Sequence, residues 1–561
     1  MEGSIEITFP KMNHFWLDSG LLGLAVILRQ IEADIKANVE HSDSGLTLKG
    51  TEGDIANALN AAYDKLIRDY YNLSTKKQQQ ETASHNFYYD SKGDRFISFP
   101  KKKVVGIAGL IYNKASRPLG ETVRWKSKEK RDIIVNNKSK KLTRGILPDD
   151  YSHLQERMDD FLDAGGLDVT TVGLLVDGEN AVRPKVEIPI PKGKKGHCFL
   201  CGEEDVGLTE SNTTIFPFIT GSSGVLNFFS LCAGHENICL RCAFIAKFAP
   251  VNGFYNSAGG DLFAFFPYST SFEKMFYTYK KLQDAKYVDD NLYKNFQHPL
   301  GFEKYPDAFF QRPHEVSFAF LYTIYRKVLI RQDSSGFDWG QMTDIFVSKA
   351  PLEFVVLNAQ DKGQVYMGKL VWPFVDSVYF FRLMEALEKK AIDIKETMRL
   401  LLDPAQKSEN KTILRNSFCQ RVLKKQSVIE LIEYHVFSSG STYIKPLLEF
   451  AIHYEPIIRK EDSPMTSEEQ ETAVALGRGI GAVVAENGKK GDLFALRKAR
   501  RKTDFLNELN RLQFKCSLTV PREVYEGNLT DLNFLEFKQF CMIAALNSFN
   551  YATSKGGGKN T

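Results

Sequence analysis

Five of the eight cysteines fall between positions 198 and 242: Cys198, Cys201, Cys232, Cys239 and Cys242. Cys198-Phe-Leu-Cys201-Gly202 and Cys239-Leu-Arg-Cys242 form two C-x-x-C pairs with 37 residues between them. Each pair offers two thiolates at a bite that suits one edge of a tetrahedron, and Gly202 lets the backbone fold beneath a metal. One such pair alone would also fit a redox motif; two point to a zinc ion held by Cys198, Cys201, Cys239 and Cys242. Cys232 and His235, three apart just before the second pair, are rival ligands, and His197 is hampered by adjoining Cys198. Four thiolates close the coordination shell, whereas a catalytic zinc keeps one position open. No His-x-Glu precedes a cysteine pair, and no His-Glu-x-x-His occurs, so the expected zinc is structural. Such an ion contributes up to about 10 kcal/mol to folding, enough to hold a loop-rich insertion together. The segment between the pairs contains Thr220-Gly-Ser-Ser-Gly224, a polar loop in which Ser222 and Ser223 are candidates for nucleic-acid contact or an ordinary turn.

The second chemical signal is charge. The whole chain is formally +4, yet positions 124–144 hold nine Lys/Arg and two acids, a local +7 on an otherwise near-neutral body. A concentrated basic strip suits a polyanion, against the plainer reading of a solvated loop. Within it Arg124, Lys126, Lys128 and Lys130 flank Trp125, an aromatic able to stack on a base. Asn136 and Asn137 could hydrogen-bond in a minor groove. Lys101, Lys102 and Lys103 form a second basic group. Arg497, Arg500 and Arg501 form a third, opening a helix whose continuation (Phe505, Leu509, Leu512) is apolar, so that guanidinium groups would face a phosphate track.

Enzyme signatures are weak. Tyr287-Val-Asp-Asp290 spells a polymerase-like motif but has polar helical flanks in place of apolar strands. Gly477-Arg-Gly-Ile-Gly481 lies within a helical pattern without a preceding strand or a Gly-Lys-Thr/Ser, which favours close helix packing over phosphate binding. There is no G-x-S-x-G. The ten histidines are scattered, and His14, His435 and His453 have apolar or aromatic neighbours, so no catalytic residue is assigned.

These groups need a scaffold. A length of 561 residues with 43% hydrophobic and 25% charged residues implies two or three globular domains and excludes a mainly disordered chain. No apolar run reaches the roughly eighteen residues of a membrane span, and the N-terminus lacks the basic start and apolar stretch of a signal peptide. Clustered cysteines in a long chain fit metal in a reducing, cytoplasmic compartment better than disulfides. Cys419, Cys516 and Cys541 read as buried hydrophobes.

Residues 17–31 begin with turn residues and become helical. Thr51-Glu-Gly-Asp54 reads as a capping box opening a helix over 55–71. Strand-like runs occupy 96–99, 104–112, 172–176 and 186–190, and residues 113–150 are poorly periodic. Residues 352–358 and 364–371 resemble a final strand pair. Beyond 375, six segments carry apolar residues at helical spacing. The expected fold class is α+β: a mixed N-terminal part (1–190), a zinc-ribbon-like insertion (191–250), a continuation of the body (251–375) and an all-α helical bundle (376–561).

With Trp16-Leu-Asp-Ser-Gly20, Cys198-Phe-Leu-Cys201, Cys239-Leu-Arg-Cys242, Gly477-Arg-Gly-Ile-Gly481 and Arg497-Lys-Ala-Arg-Arg501-Lys-Thr-Asp-Phe505 in this order, the chain resembles the CRISPR-associated CXXC–CXXC (Cst) family. The resemblance implies the non-catalytic large subunit of a type I, I-B-like surveillance complex (Cascade). Such a subunit binds guide RNA, recognises the protospacer-adjacent motif in double-stranded target DNA and aids duplex opening. It assembles with a repeated backbone subunit and a small subunit, and a separate helicase–nuclease is recruited to cut. In some relatives the C-terminal helical segment is also made from an internal start, for which Met465 is a candidate. On this view Lys101–Lys103 and Arg124–Lys130 meet phosphates, Asn136, Asn137 and the 220–224 loop sense the motif, and Arg497, Arg500 and Arg501 track a strand. Two readings from other classes stand beside it: a zinc-stabilised nucleic-acid-processing enzyme, and a zinc-folded protein-interaction scaffold.

Overall fold

The computed structural model describes residues 4–66, 85–91, 93–100, 121–135, 138–169, 171–176, 194–210, 237–258, 261–276, 312–325, 353–361, 366–374, 377–403, 406, 410–459 and 464–556. The chain divides into two compact units, one of residues 1–300 with 327–377 and one of 301–326 with 378–561. The class is α+β, with a helical C-terminal region. The second unit also takes in helix Pro313–Ile324, which lies upstream of the cut drawn at 375/376. That helix belongs there because its side chains are completed by the C-terminal helices, as described below.

In the first unit, strand β1 (Ile5–Pro10) leads to helix α1 (Phe15–Gln30), then to β2 (Asn38–Ser42), β3 (Gly45–Gly50) and helix α2 (Glu52–Lys65). The strands form an antiparallel sheet in the order β1-β3-β2. Thr51 caps α2, its hydroxyl accepting from the Asp54 N–H at 3.1 Å, as the capping-box pattern predicts. Helix α1 differs from expectation: Asp18, Ser19 and Gly20 are inside it and buried. Tertiary partners hold this stretch in the helix, although the buried Ser19 hydroxyl itself makes no hydrogen bond among the described residues. Asp18 accepts from Lys11 Nζ (3.0 Å) and from the Met12 N–H (2.8 Å), and Asn252 Nδ2 donates to the Ser19 carbonyl at 3.0 Å.

A second sheet, ordered β5-β4-β9-β6, contains β4 (His85–Asp90), β5 (Arg95–Pro100), β6 (Glu121–Arg124) and β9 (Gly173–Val176). Helix α3 (Gln155–Gly165) packs Met158 and Leu162 into its core beside Phe87, Val123 and Leu174. Between β6 and α3 runs a two-stranded antiparallel ribbon, β7 (Ser127–Val135) with β8 (Lys138–Ile146). This is the stretch whose sequence lacks periodicity. A ribbon with little of its surface buried imposes no apolar alternation.

A third sheet, β10-β11-β12, is built from β10 (Lys194–His197), β11 (Glu204–Glu210) and β12 (Asn237–Ile238), followed by helix α4 (Leu240–Ala246). A fourth is an antiparallel meander of β13 (Phe254–Ala258), β14 (Asp261–Tyr268), β15 (Glu353–Asp361) and β16 (Tyr366–Phe374), the last two being the expected strand pair.

The second unit is helical. Helix α5 (Pro313–Ile324) is followed by α6 (Ser377–Lys389), α7 (Ile394–Leu400), α8 (Ile413–Leu423), α9 (Ile429–Ser438) and α10 (Lys445–Ile458). Then come α11 (Ser467–Asn487), α12 (Lys490–Lys498), α13 (Lys502–Cys516) and α14 (Phe534–Gly556). Glu315 on α5 pairs with Arg415 on α8 at 2.8 Å, both fully buried, and Phe318 meets Phe380 of α6 edge-on at 5.0 Å. The two longest helices, α11 and α14, pack through glycine. A Cβ at Gly477 would lie 2.2 Å from the Cys541 carbonyl oxygen, and one at Gly481 equally close to that of Ala545. The Gly-rich segment is therefore a helix seam, as its context predicts. No described helix is long and apolar enough to cross a membrane.

Candidate metal centre and cationic surfaces

The first knuckle is the turn between β10 and β11. Cys198 N–H donates to the Glu203 carbonyl (2.9 Å) and Gly202 N–H to the Cys198 carbonyl (2.8 Å). Gly202 closes this loop at φ +72° with no neighbour near a would-be Cβ, so glycine is required there by conformation and not by space. The second knuckle is the start of α4. Cys239 is its N-cap, the thiol sulfur accepting from the Cys242 N–H at 3.4 Å. The two knuckles are joined by backbone: Phe199 N–H donates to the Asn237 carbonyl at 3.0 Å, and β11 pairs with β12 immediately before Cys239. Arg241 and Glu203 form an ion pair across the same junction.

This geometry brings the four sulfurs of Cys198, Cys201, Cys239 and Cys242 within 4.8 Å of one another. Cys201 and Cys239 stand 3.8 Å apart, which matches the roughly 3.8 Å edge of a tetrahedron with metal–sulfur bonds of about 2.3 Å. None of the four forms a disulfide, and three are buried, with only Cys201 partly exposed. Thiol hydrogen bonds from Cys239 and Cys242 hold the Cys198 thiol far below its ordinary range. The hydrogen bond to that same sulfur pushes Cys239 up to about 12 and Cys242 higher still. Sulfurs competing in this way for one negative charge are what a divalent cation converts into thiolates, with release of protons. The four cysteines fit a metal ion. Exposed His197 is not among the clustered groups, and Cys232 and His235 lie outside the described residues.

The second knuckle does not stand apart from the body. A Cβ on Gly20 of α1 would lie 2.2 Å from the Ile245 carbonyl oxygen, and one on Gly23 equally close to that of Phe248. Tyr63 of α2 packs its ring 6.0 Å from Phe244, and Met12 Sδ lies 4.0 Å from Cys242 Sγ. The Trp16–Gly20 segment and the Cys239–Cys242 pair, far apart in sequence, meet here. Beside them Lys11 and Asp18 form a buried ion pair (4% and 1% exposed), and Tyr268 donates to Asp18 at 3.3 Å. Burial, with the neighbouring Asp18 carboxylate, pushes the Tyr268 hydroxyl well above its usual range.

The basic strip separates into two sets. Lys126 pairs with Asp149 (3.2 Å), Arg131 with Asp159 (3.0 Å), and buried Arg144 with Asp163. Arg124, Lys128, Lys130, Lys138, Lys140 and Lys141 are exposed and have no acidic partner among the described residues. Trp125 is half-buried, its ring over Gly145 and its Nε1 donating to the Thr171 carbonyl at 3.0 Å, so the indole holds the ribbon's root. Arg497 likewise serves the fold. It is the last-turn residue of α12, binds Glu433 through Nε (2.6 Å) and Nη2 (3.2 Å), and lies over the Phe437 ring. The 497–502 group does not open one helix but straddles the break between α12 and α13, leaving Arg500 and Arg501 exposed in the connection. Lys101, Lys102, Lys103, Asn136, Asn137, Ser222 and Ser223 lie outside the described residues, as does Tyr287-Val-Asp-Asp290. His435 is a satisfied core histidine, its Nε2 2.7 Å from the Leu400 carbonyl.

Sequence reasoning named the four cysteines but missed Lys138, Lys140 and Lys141 as members of the exposed set. Their signal was present in the charge count; what sorts them from Lys126, Arg131 and Arg144 is the acidic segment at 149–163, which runs from a short turn into α3 and is visible only once the ribbon is placed. Compared with known proteins, the chain matches no family model and no curated sequence.

Proposed function

We propose that this chain is a zinc-stabilised, non-catalytic nucleic-acid-binding protein, the large subunit of a type I CRISPR surveillance complex of I-B-like character. In this reading it engages guide RNA and duplex DNA, recognises the protospacer-adjacent motif, and recruits a helicase–nuclease. The observation that carries it is the cluster of four cysteine sulfurs joined through α4 to the Trp16–Gly20 segment. Two motifs that bear the family resemblance thereby form one structural unit. Zinc is the preferred ion because an all-cysteine set with tetrahedral separations is the donor chemistry of structural zinc. The free cations at Lys128, Lys130, Lys138, Lys140, Lys141, Arg500 and Arg501 supply the charge that phosphate backbones require.

Two measurements test the reading. Elemental analysis of freshly purified protein is expected to give one zinc per chain, and its absence removes the structural role. Co-expression with the gene's neighbours is expected to return the protein with a guide-length RNA and a repeated backbone subunit. Purification free of both, together with Mg²⁺-dependent turnover of DNA or RNA, overturns the assignment in favour of a processing enzyme.

A further inference from the structure

The β7–β8 ribbon is charged on both of its faces. The register pairs Lys128 with Gly145, Lys130 with Thr143, Asp132 with Lys141 and Ile134 with Ser139 on one face. On the other it pairs Arg131 with Leu142, Ile133 with Lys140 and Val135 with Lys138. The root of this second face is covered: Leu142 and Arg144 are buried, and Arg131 and Arg144 are tied to Asp159 and Asp163. The distal half is covered on neither face. Lys138, Lys140 and Lys141 are exposed, and Ile134 is 77% exposed. Lys128, Lys130 and Lys141 thus share one face with Asp132, and Lys138 and Lys140 the opposite one with Glu129, which pairs with Arg131 at 3.7 Å.

A contact with a flat anionic surface would use one face of such a ribbon and leave the other repelling itself in solvent. Charge on both faces fits a partner with two anionic walls. The B-form major groove, about 12 Å wide between phosphate rows, admits a two-stranded β-ribbon without deformation; the minor groove, about 6 Å wide, takes one only when the duplex is bent open. The A-form major groove is too narrow for side chains to read. Gln155 further fixes the root, accepting from the Leu147 N–H (2.7 Å) and donating to the Gly145 carbonyl (3.0 Å), so the ribbon enters already ordered.

We propose that the β7–β8 ribbon inserts into the major groove of B-form DNA. Lys128, Lys130 and Lys141 meet one phosphate row; Lys138 and Lys140 meet the other. This rests on the nucleic-acid reading above and departs from the minor-groove expectation for Asn136 and Asn137. The test uses full-length protein, a labelled 30-base-pair duplex and anisotropy across a KCl series. Replacing all five lysines by Gln is expected to lower the log–log salt slope by about 4 to 5, at about 0.9 per lost phosphate contact. Lys138→Gln with Lys140→Gln accounts for roughly 2 of this, and the other three for roughly 3. Dimethyl sulfate footprinting is expected to show protection of guanine N7 and not of adenine N3. Wild-type protein that binds no duplex defeats the nucleic-acid reading itself. Binding with an unchanged slope in the five-lysine variant, whose fold is checked by circular dichroism, defeats the ribbon alone. A slope that moves for one face only, protection of adenine N3, or equal affinity for an RNA duplex defeats the major-groove placement.

Discussion

Two helix seams in this molecule use the same device at different scale. In the first unit Gly20 of α1 meets the Ile245 carbonyl of the Cys242 helix; in the second, Gly477 of α11 meets the Cys541 carbonyl of α14, and both would place a Cβ at 2.2 Å. The second seam joins helices of 21 and 23 residues, along which Gly477 also faces Ala544 and Gly481 faces Ser548, and which bury Leu476, Ile480, Phe537, Phe540 and Ile543. The first rests on a helix of 7 residues. A contact that short buries too little apolar area to fix a hairpin beside it, since each fully buried aliphatic side chain supplies only about 1.5–3 kcal/mol. Four cysteines cluster at the start of that helix. On the proposed reading, a metal ion held there supplements the packing of a short helix.

Removing the ion should break the comparison most sharply. With a zinc-selective chelator, or with Cys242→Ser, the first unit is expected to lose a stabilisation of up to about 10 kcal/mol while the second keeps its own. Calorimetry then shows one transition displaced downward and another unmoved. A single transition that ignores the chelator means the first seam holds without metal.

The next effect is electrostatic. Asp18→Asn keeps an acceptor for the Met12 N–H but leaves buried Lys11 without its counter-charge, a loss of about 3–5 kcal/mol. Because Met12 Sδ touches Cys242 Sγ, the same variant is expected to release metal faster to a chromogenic chelator. Glu315→Gln is the counterpart in the second unit, where Arg415 is buried; it should lower the other transition by a similar amount and leave the metal alone. If both variants move both transitions equally, the units do not unfold separately.

What could be read in advance follows the same division. Helices of the second unit carry their own signals, as with Thr466 and Glu469, whose reciprocal bonds (2.6 and 3.2 Å) form a capping box at the start of α11. Local patterns suffice when a helix has one broad apolar face. The four clustered cysteines were legible for a different reason, since coordination geometry constrains spacing directly. Asp18, Ser19 and Gly20 were misread as a turn because their partners, Lys11, Asn252 and Ile245, are set by tertiary contact. Trp125 and Arg497 carry the residue types of a nucleic-acid contact, yet one is spent on Thr171 and the other on Glu433. Residue type names the chemistry a side chain can do; only its neighbours decide whether it is free to do it.

The smallest effects sharpen the seam itself, within one helix. Gly477 and Gly479 are two residues apart in α11, but a Cβ at Gly477 would strike the Cys541 carbonyl while one at Gly479 would meet nothing within 4 Å. Intrinsic propensity favours alanine over glycine at both positions by about 0.5–1 kcal/mol. At Gly479 that term acts alone, so Gly479→Ala is expected to raise stability by this amount. At Gly477 the helix backbones must move apart, and overpacking of about 1–3 kcal/mol outweighs the same gain, so Gly477→Ala is destabilising. Opposite signs from one chemical change, read by urea midpoints with unchanged slopes, isolate the close approach from glycine's flexibility. If both variants stabilise, α11 and α14 have room to spare, and the parallel with the Gly20 seam dissolves.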